Sequence, residues 1–266
     1  MSGIKKLLEK NPNILNLKRD LLKEKRRAYY ERAIKSSYDK LDEMAKEYVN
    51  FVKGLKAWEV AKHIENIFIF AKRCAIDYDI HLEELDMFFH QILPKYVGGG
   101  LLGCFIAGLC HYVMRYDTHL YLDLTHYGTV SGLGYRHSKG ILTLQDGHLP
   151  YYLGVEMEGG KIEVFGNVGG YLGRWMKDGL IIVHGNAGSW VGQGMRGGRI
   201  EIYGDVRDTL GMRMKGGEIF VEGNAGFWVG EEMQGGHIWI KGEIKSITAD
   251  RYGGKVYQWK NDWVKI

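Results

Sequence analysis

From Gly134 to Lys255 apolar and polar residues alternate in short bursts, and the bursts return at a fixed interval. Lys161-Ile162-Glu163-Val164, Arg199-Ile200-Glu201-Ile202 and Glu218-Ile219-Phe220-Val221 are period-two segments, so each reads as a strand with its Ile and Val on one side. The columns Ile162, Ile181, Ile200, Ile219, Ile238 and Val164, Val183, Ile202, Val221, Ile240 both step by 19 residues. Met157, Met176, Met195, Met214 and Met233 keep the same step, as do Gly166, Gly185, Gly204, Gly223 and Gly242. One strand repeated in register stacks into a parallel sheet. A strand, a bend, a second extended piece and another bend make one coil of a solenoid rising about 4.8 Å. A single coil cannot bury its Ile and Val, whereas stacked coils can.

The Met column and Leu153, Leu172, Val191, Leu210 and Val229 form the expected interior of a second wall. The glycines, with Asn167, Asn186, Asp205 and Asn224, are assigned to sharp turns, because these residue types tolerate positive φ. With small slips the pattern extends back through Leu142 and Leu144 to a rung at Leu120–Leu124, and forward to Val256–Trp259, predicting about seven coils.

Before the repeats the period changes. Ile34, Tyr38, Leu41, Ala45, Tyr48 and Val52 are spaced by fours and threes, the stripe of an amphipathic helix. A second helix is predicted over Trp58–Cys74, burying Val60, Ile64, Ile67, Phe68 and Ala71. A third is predicted over Leu82–Leu93, ended by Pro94. The fold class is therefore α+β: a helical domain over 1–97, a connecting segment with a first coil over 98–129, and a β-helix over 130–266. Nearly all of the 38 glycines lie beyond residue 97, which marks the boundary. Val97–Met114 is almost wholly apolar, but its five glycines and the lack of a flanking charge pattern favour a buried core segment over a membrane span.

The net charge of +4 is unevenly placed: residues 1 to 55 hold 14 Lys and Arg against 8 Asp and Glu. Arg19, Lys23 and Arg26 share a helical face, but Asp20 and Glu24 interrupt the run and no aromatic platform accompanies it, so no nucleic-acid partner is expected. Three cysteines without a CxxC pair suit a reducing compartment, and MSGIKKLLEKNPN lacks the apolar core of a secretory signal. The expectation is a cytoplasmic protein with no membrane partner.

GxxG and GxxxG strings recur in every coil without a following GK[ST], which assigns them to structural corners rather than to a phosphate loop. Five of the ten histidines, His111, His119, His126, His137 and His148, fall within 38 residues. Their spacing is irregular and His137 occupies the Met column, so packing outweighs a zinc site. Cys104 and Cys110 lie in an apolar stretch where thiols are inert. No catalytic, cofactor or metal site is expected. Two outward columns stand out instead. Tyr171, Trp190, Thr209 and Trp228 share one position. Glu163, Ile182, Glu201, Phe220 and Trp239 share another, where Ile182, Phe220 and Trp239 are apolar. Exposed apolar stripes mark interfaces.

The unit Gly185-Asn186-Ala187-Gly188 through Gly192, Met195, Gly197, Gly198, Ile200, Ile202 and Gly204 resembles the GXGXG β-helix family. That family includes the β-helical subunit of formylmethanofuran dehydrogenase and the C-terminal domain of the glutamate synthase large subunit. The resemblance covers roughly residues 130–258 and leaves the N-terminal helices outside it. It implies a right-handed single-stranded β-helix that packs against catalytic domains and supplies no catalytic residues. With no amidotransferase or flavin segment, the chain looks more like the separate polypeptide of the dehydrogenase than like the synthase domain. The implied role is a scaffold for the other subunits of a one-carbon oxidoreductase, and the alternative is a self-associating β-helix.

Overall fold

The computed structural model describes residues 24–53, 55, 60–92, 102–114, 118–124, 130–145, 149–248 and 250–266. Three helical stretches come first: α1 (Glu24–Val52), α2 (Val60–Asp77), and α3 (Leu82–Met87), which runs into a π-helical turn over Phe88–Ile92. Leu41, Ala45 and Tyr48 of α1 and Ile64, Ile67, Phe68 and Ala71 of α2 are buried, as their spacing requires. Pro12, Gly54, Trp58 and Pro94 lie outside the described residues.

A fourth helix, α4 (Leu102–Val113), occupies the segment expected to be a connector. All of its residues but His111 and Tyr112 are buried, so this apolar stretch is core. Its glycines serve close packing: a Cβ built on Gly108 would lie 2.5 Å from Ala71 Cβ of α2. No helix of the described residues is long and apolar enough to cross a membrane.

Then the chain coils. Strands β1 (His119–Asp123), β2 (Ile141–Gln145), β4 (Glu158–Phe165), β6 (Asp178–Val183), β7 (Arg199–Ile202), β8 (Glu218–Val221), β9 (His237–Ile240) and β10 (Lys255–Trp259) stack in parallel, each on the next. A parallel β-solenoid of about seven turns results. The register matches the repeat, Ile181 pairing with Ile200 and Ile200 with Ile219. The antiparallel strand β11 (Trp263–Lys265) ends the stack. A second wall begins with β3 (Leu149–Tyr151) on β5 (Val168–Gly170) and continues as single bridges from Val168 through Ala187, Val206 and Ala225 to Ile244.

The interior follows the columns. Ile162, Ile181, Ile200, Ile219 and Ile238 have no exposed surface, nor do the five methionines from Met157 to Met233, and the Leu153-to-Val229 column is buried beside them. Backbone bonds tie coil to coil at the corners as well as along the sheet: the Arg196 N–H donates to Met176 O at 2.8 Å and Lys215 to Met195 O at 2.7 Å. Such bonds satisfy buried peptide groups from one turn to the next.

The Asn column works differently from the positive-φ reading. Asn167, Asn186, Asp205 and Asn224 are not among the residues with positive φ. Each instead accepts, on Oδ1, the backbone N–H of its counterpart one coil on: Asn186 N to Asn167 (2.7 Å), Asp205 N to Asn186 (2.8 Å), Asn224 N to Asp205 (2.7 Å) and Glu243 N to Asn224 (2.8 Å). The neighbouring glycines are needed for space, since a Cβ on Gly185 would lie 2.5 Å from Gly166 O and one on Gly242 would lie 2.5 Å from Gly223 O. The left-handed corners lie elsewhere. One is the column of Gly154, Gly173 and Gly192, where φ is 60 to 64° and a Cβ would meet the Ile δ-methyl of a neighbouring coil.

The helices close the N-terminal end of the coil. The Tyr135 hydroxyl donates to Glu65 Oε2, Arg136 Nη1 donates to Glu65 Oε1 at 3.1 Å, and Phe68 meets the Tyr135 ring edge-on at 5.1 Å. Cys104 Sγ of α4 donates to Ser131 O at 3.6 Å. One hydrophobic cluster runs unbroken from Leu41 of α1 to Val256 of β10.

Candidate interaction surface

At one corner of five successive coils the same position is left-handed, and its aromatic occupants are at least partly exposed. Tyr152 (φ 66°), Tyr171 (62°), Trp190 (62°), Thr209 (58°) and Trp228 (59°) hold this position. Tyr152 stacks on Tyr171 with centroids 4.9 Å apart, and Tyr171 on Trp190 at 4.8 Å, with interplanar angles of 4° and 6°. Thr209 then interrupts the stack, and Trp228 stands beyond it, 54% exposed. Arg174 lies over Trp175 at 3.8 Å and over Tyr171 at 5.3 Å, adding cation–π contacts to the ladder's flank.

Two more ladders stand on the outer face of the long sheet. Phe220, Trp239 and Tyr257 stack at 5.7 and 4.0 Å, with Arg199 over Phe220 at 4.0 Å. Ile182 shares this column at partial exposure. One column over, Phe165, His184 and Tyr203 stack at 4.4 and 5.2 Å. This ladder escaped sequence reading because its middle ring is a histidine. The signal is the 19-residue step directly after Val164, Val183 and Ile202.

Ions on this face neutralise one another. Lys161 and then His184 hydrogen-bond to Glu163 and hold its carboxyl below the usual carboxylate range. Arg199 pairs with Glu201 and Lys241 with Glu222. A shallow groove of about 220 Å³ lies among Arg199, Glu201, Ile202, Tyr203, Phe220 and Glu222. The buried indole Nε1 of Trp239 has no acceptor.

The other candidates do not converge. His111 Nδ1 lies 3.2 Å from Arg136 O, His119 Nε2 lies 2.8 Å from Thr143 Oγ1, and His137 Nε2 lies 3.4 Å from Gly140 O; His126 and His148 lie outside the described residues. No group of three His, Cys, Asp or Glu side chains among the described residues is placed to hold a metal ion. Cys74, Cys104 and Cys110 are free and buried, and burial pushes each thiol up to about 12, far from a reactive thiolate. The side chains of the basic run from Lys18 to Arg27 also lie outside the described residues.

The structure thus separates the predicted interface residues into two surfaces. Tyr171, Trp190 and Trp228 stand at the corner, and Ile182, Phe220 and Trp239 on the sheet. Tyr152 and Tyr257 extend the two ladders beyond the residues singled out from sequence. The chain matches no protein-family model and no curated protein.

Proposed function

We propose that this protein is a non-catalytic β-helix scaffold, a right-handed coil of the GXGXG family that works in the cytoplasm as the β-helical subunit of formylmethanofuran dehydrogenase does. It holds other subunits of a one-carbon oxidoreductase together. The observation that carries this reading is the set of stacked aromatic ladders standing outward from a rigid coil. Aromatic rings held in place lose little side-chain entropy on docking, and they are enriched at interface cores. The self-paired ions on the sheet face fit the same role, because a partner meets few uncompensated charges there.

The test is the native mass of the untagged protein purified from its own cells, with identification of what co-elutes. Co-elution with molybdenum or tungsten oxidoreductase subunits is the expected result, and Trp190→Ser with Trp228→Ser together should release them. A homo-oligomer without other subunits would replace this reading with self-association through the same ladders.

A further inference from the structure

The interruption at Thr209 gives the corner ladder a property that an unbroken ladder lacks. Trp190 and Trp228 hold equivalent backbone positions two coils apart, since the Trp190 N–H donates to Asp208 O and the Thr209 N–H to the equivalent Phe227 O. Both have φ near 60°. Phe227 meets Trp228 at 5.8 Å and 47°, much as Tyr151 meets Tyr152 at 6.2 Å and 50°, so Trp228 stands to its chain neighbour as the ladder ring Tyr152 does. With coils about 4.8 Å apart, the two backbone positions are separated by roughly 9.6 Å. That spacing is the room left by one missing ring.

A planar group at the midpoint would lie about 4.8 Å from each indole, within the range of stacked pairs. The walls are ready: Trp190 is already fixed on one face by Tyr171, and Trp228 is 54% exposed. Thr209 forms the floor at 8% exposure, its hydroxyl committed to Asp208 O at 2.7 Å. It is a β-branched residue in left-handed conformation, where glycine or asparagine would be easier to accommodate.

We propose that Trp190 and Trp228 form a slot, one ring thick, for a planar cation such as a guanidinium or pyridinium group. Indole faces are electron-rich and attract a cation. The molecule applies this chemistry itself, with Arg174 against Trp175 and Tyr171 and Arg199 against Phe220.

The inference deepens the docking reading, because an arginine of a partner protein would fill the slot. The test uses small probes, so it reports on the slot whether or not a protein complex forms. The full chain is titrated with N-acetylarginine amide and, separately, with the N-methylnicotinamide ion, following tryptophan fluorescence, with tetramethylammonium as the non-planar control. The expected result is saturable 1:1 quenching by at least one planar cation, at least 10-fold weaker for tetramethylammonium. Thr209→Tyr fills the slot and Trp228→Ala removes one wall, and each should weaken binding at least 10-fold while the thermal midpoint shows the coil intact. Binding of the arginine probe alone assigns the slot to a partner's side chain, and binding of the pyridinium alone to a small molecule. Absence of saturable quenching by both, equal response to tetramethylammonium, or undiminished binding in Thr209→Tyr would overturn the proposal.

Discussion

His137 stands where five later coils place methionine, and it is 4% exposed. Burial pushes its imidazole down to about 4, with nearby His111 acting in the same direction. The unfolded chain therefore takes up this proton first as pH falls. The stabilising contribution of the neutral ring is fully present above pH 6.5 and is lost as the pH falls toward 4, by roughly 3 kcal/mol. His137→Met restores the column residue and should flatten the urea-denaturation stability profile between those two pH values. An unchanged profile would place the acid sensitivity in other groups. The Asn ladder offers a second residue-level test. Asn186→Ala removes the acceptor of the Asp205 N–H and should lower stability by about 1 kcal/mol. Asn186→Asp keeps an oxygen there, as Asp205 does naturally in the next coil, and should lose less than half as much by the same denaturation measurement. The sequence showed that this column mattered and left its bonding open, because an Asn that caps a neighbouring coil has the same spacing as one that turns the chain.

Glycine carries different information in different elements. Gly223 is not among the positive-φ residues, yet a Cβ on it would lie 2.5 Å from both Gly204 O and Asp205 Oδ1. Gly223→Ala should therefore destabilise by roughly 1–3 kcal/mol through overpacking between coils, read as a lower urea midpoint. If the variant were as stable as the parent, the two corners would have room that the present contacts deny. Inside α4, by contrast, glycine made the helix illegible. Gly103 and Gly108 count against a helix by propensity. They are there because α4 packs against Ser131 and Leu133 on one side and Ala71 on the other, with no space for a side chain. Tertiary packing overrode a local preference, and no feature of the segment alone reveals the surface it meets. The strands from β4 to β9 posed no such problem, because their 19-residue step carries the register and the buried face together. The Tyr171-to-Trp228 and Glu163-to-Trp239 columns were legible as columns, but not as stacks, and the third ladder was not singled out. That Tyr152 joins Tyr171, and that a histidine completes the third ladder, depends on side-chain angles that spacing does not give.

A solenoid is close to a one-dimensional stack, in which each coil leans on its neighbours and the ends are the weak points. The two ends here are closed by different means. At the C-terminal end β11 runs antiparallel to β10, and Trp263 packs edge-on against Trp239 and Trp259 at 5.4 Å. At the N-terminal end Phe68 of α2 meets Tyr135, and Glu65 holds Tyr135 and Arg136. If the helices serve as this cap, loosening them should open the first coils before the middle ones. Phe68→Ala removes a large buried ring at the joint, a change of about 3–5 kcal/mol in a well-packed core. Hydrogen exchange should then speed up first in α2, α4, β1 and β2, while amides of β7 and β8, with strands on both sides, keep most of their protection. Uniform acceleration along the coil would instead mean that helices and solenoid unfold as one cooperative unit, as the continuous hydrophobic cluster from Leu41 to Val256 permits. The two outcomes separate a cap that protects an autonomous coil from a helical layer that the coil cannot fold without. The distinction bears on function, because only an autonomous coil can give up its helical cap when a partner takes its place.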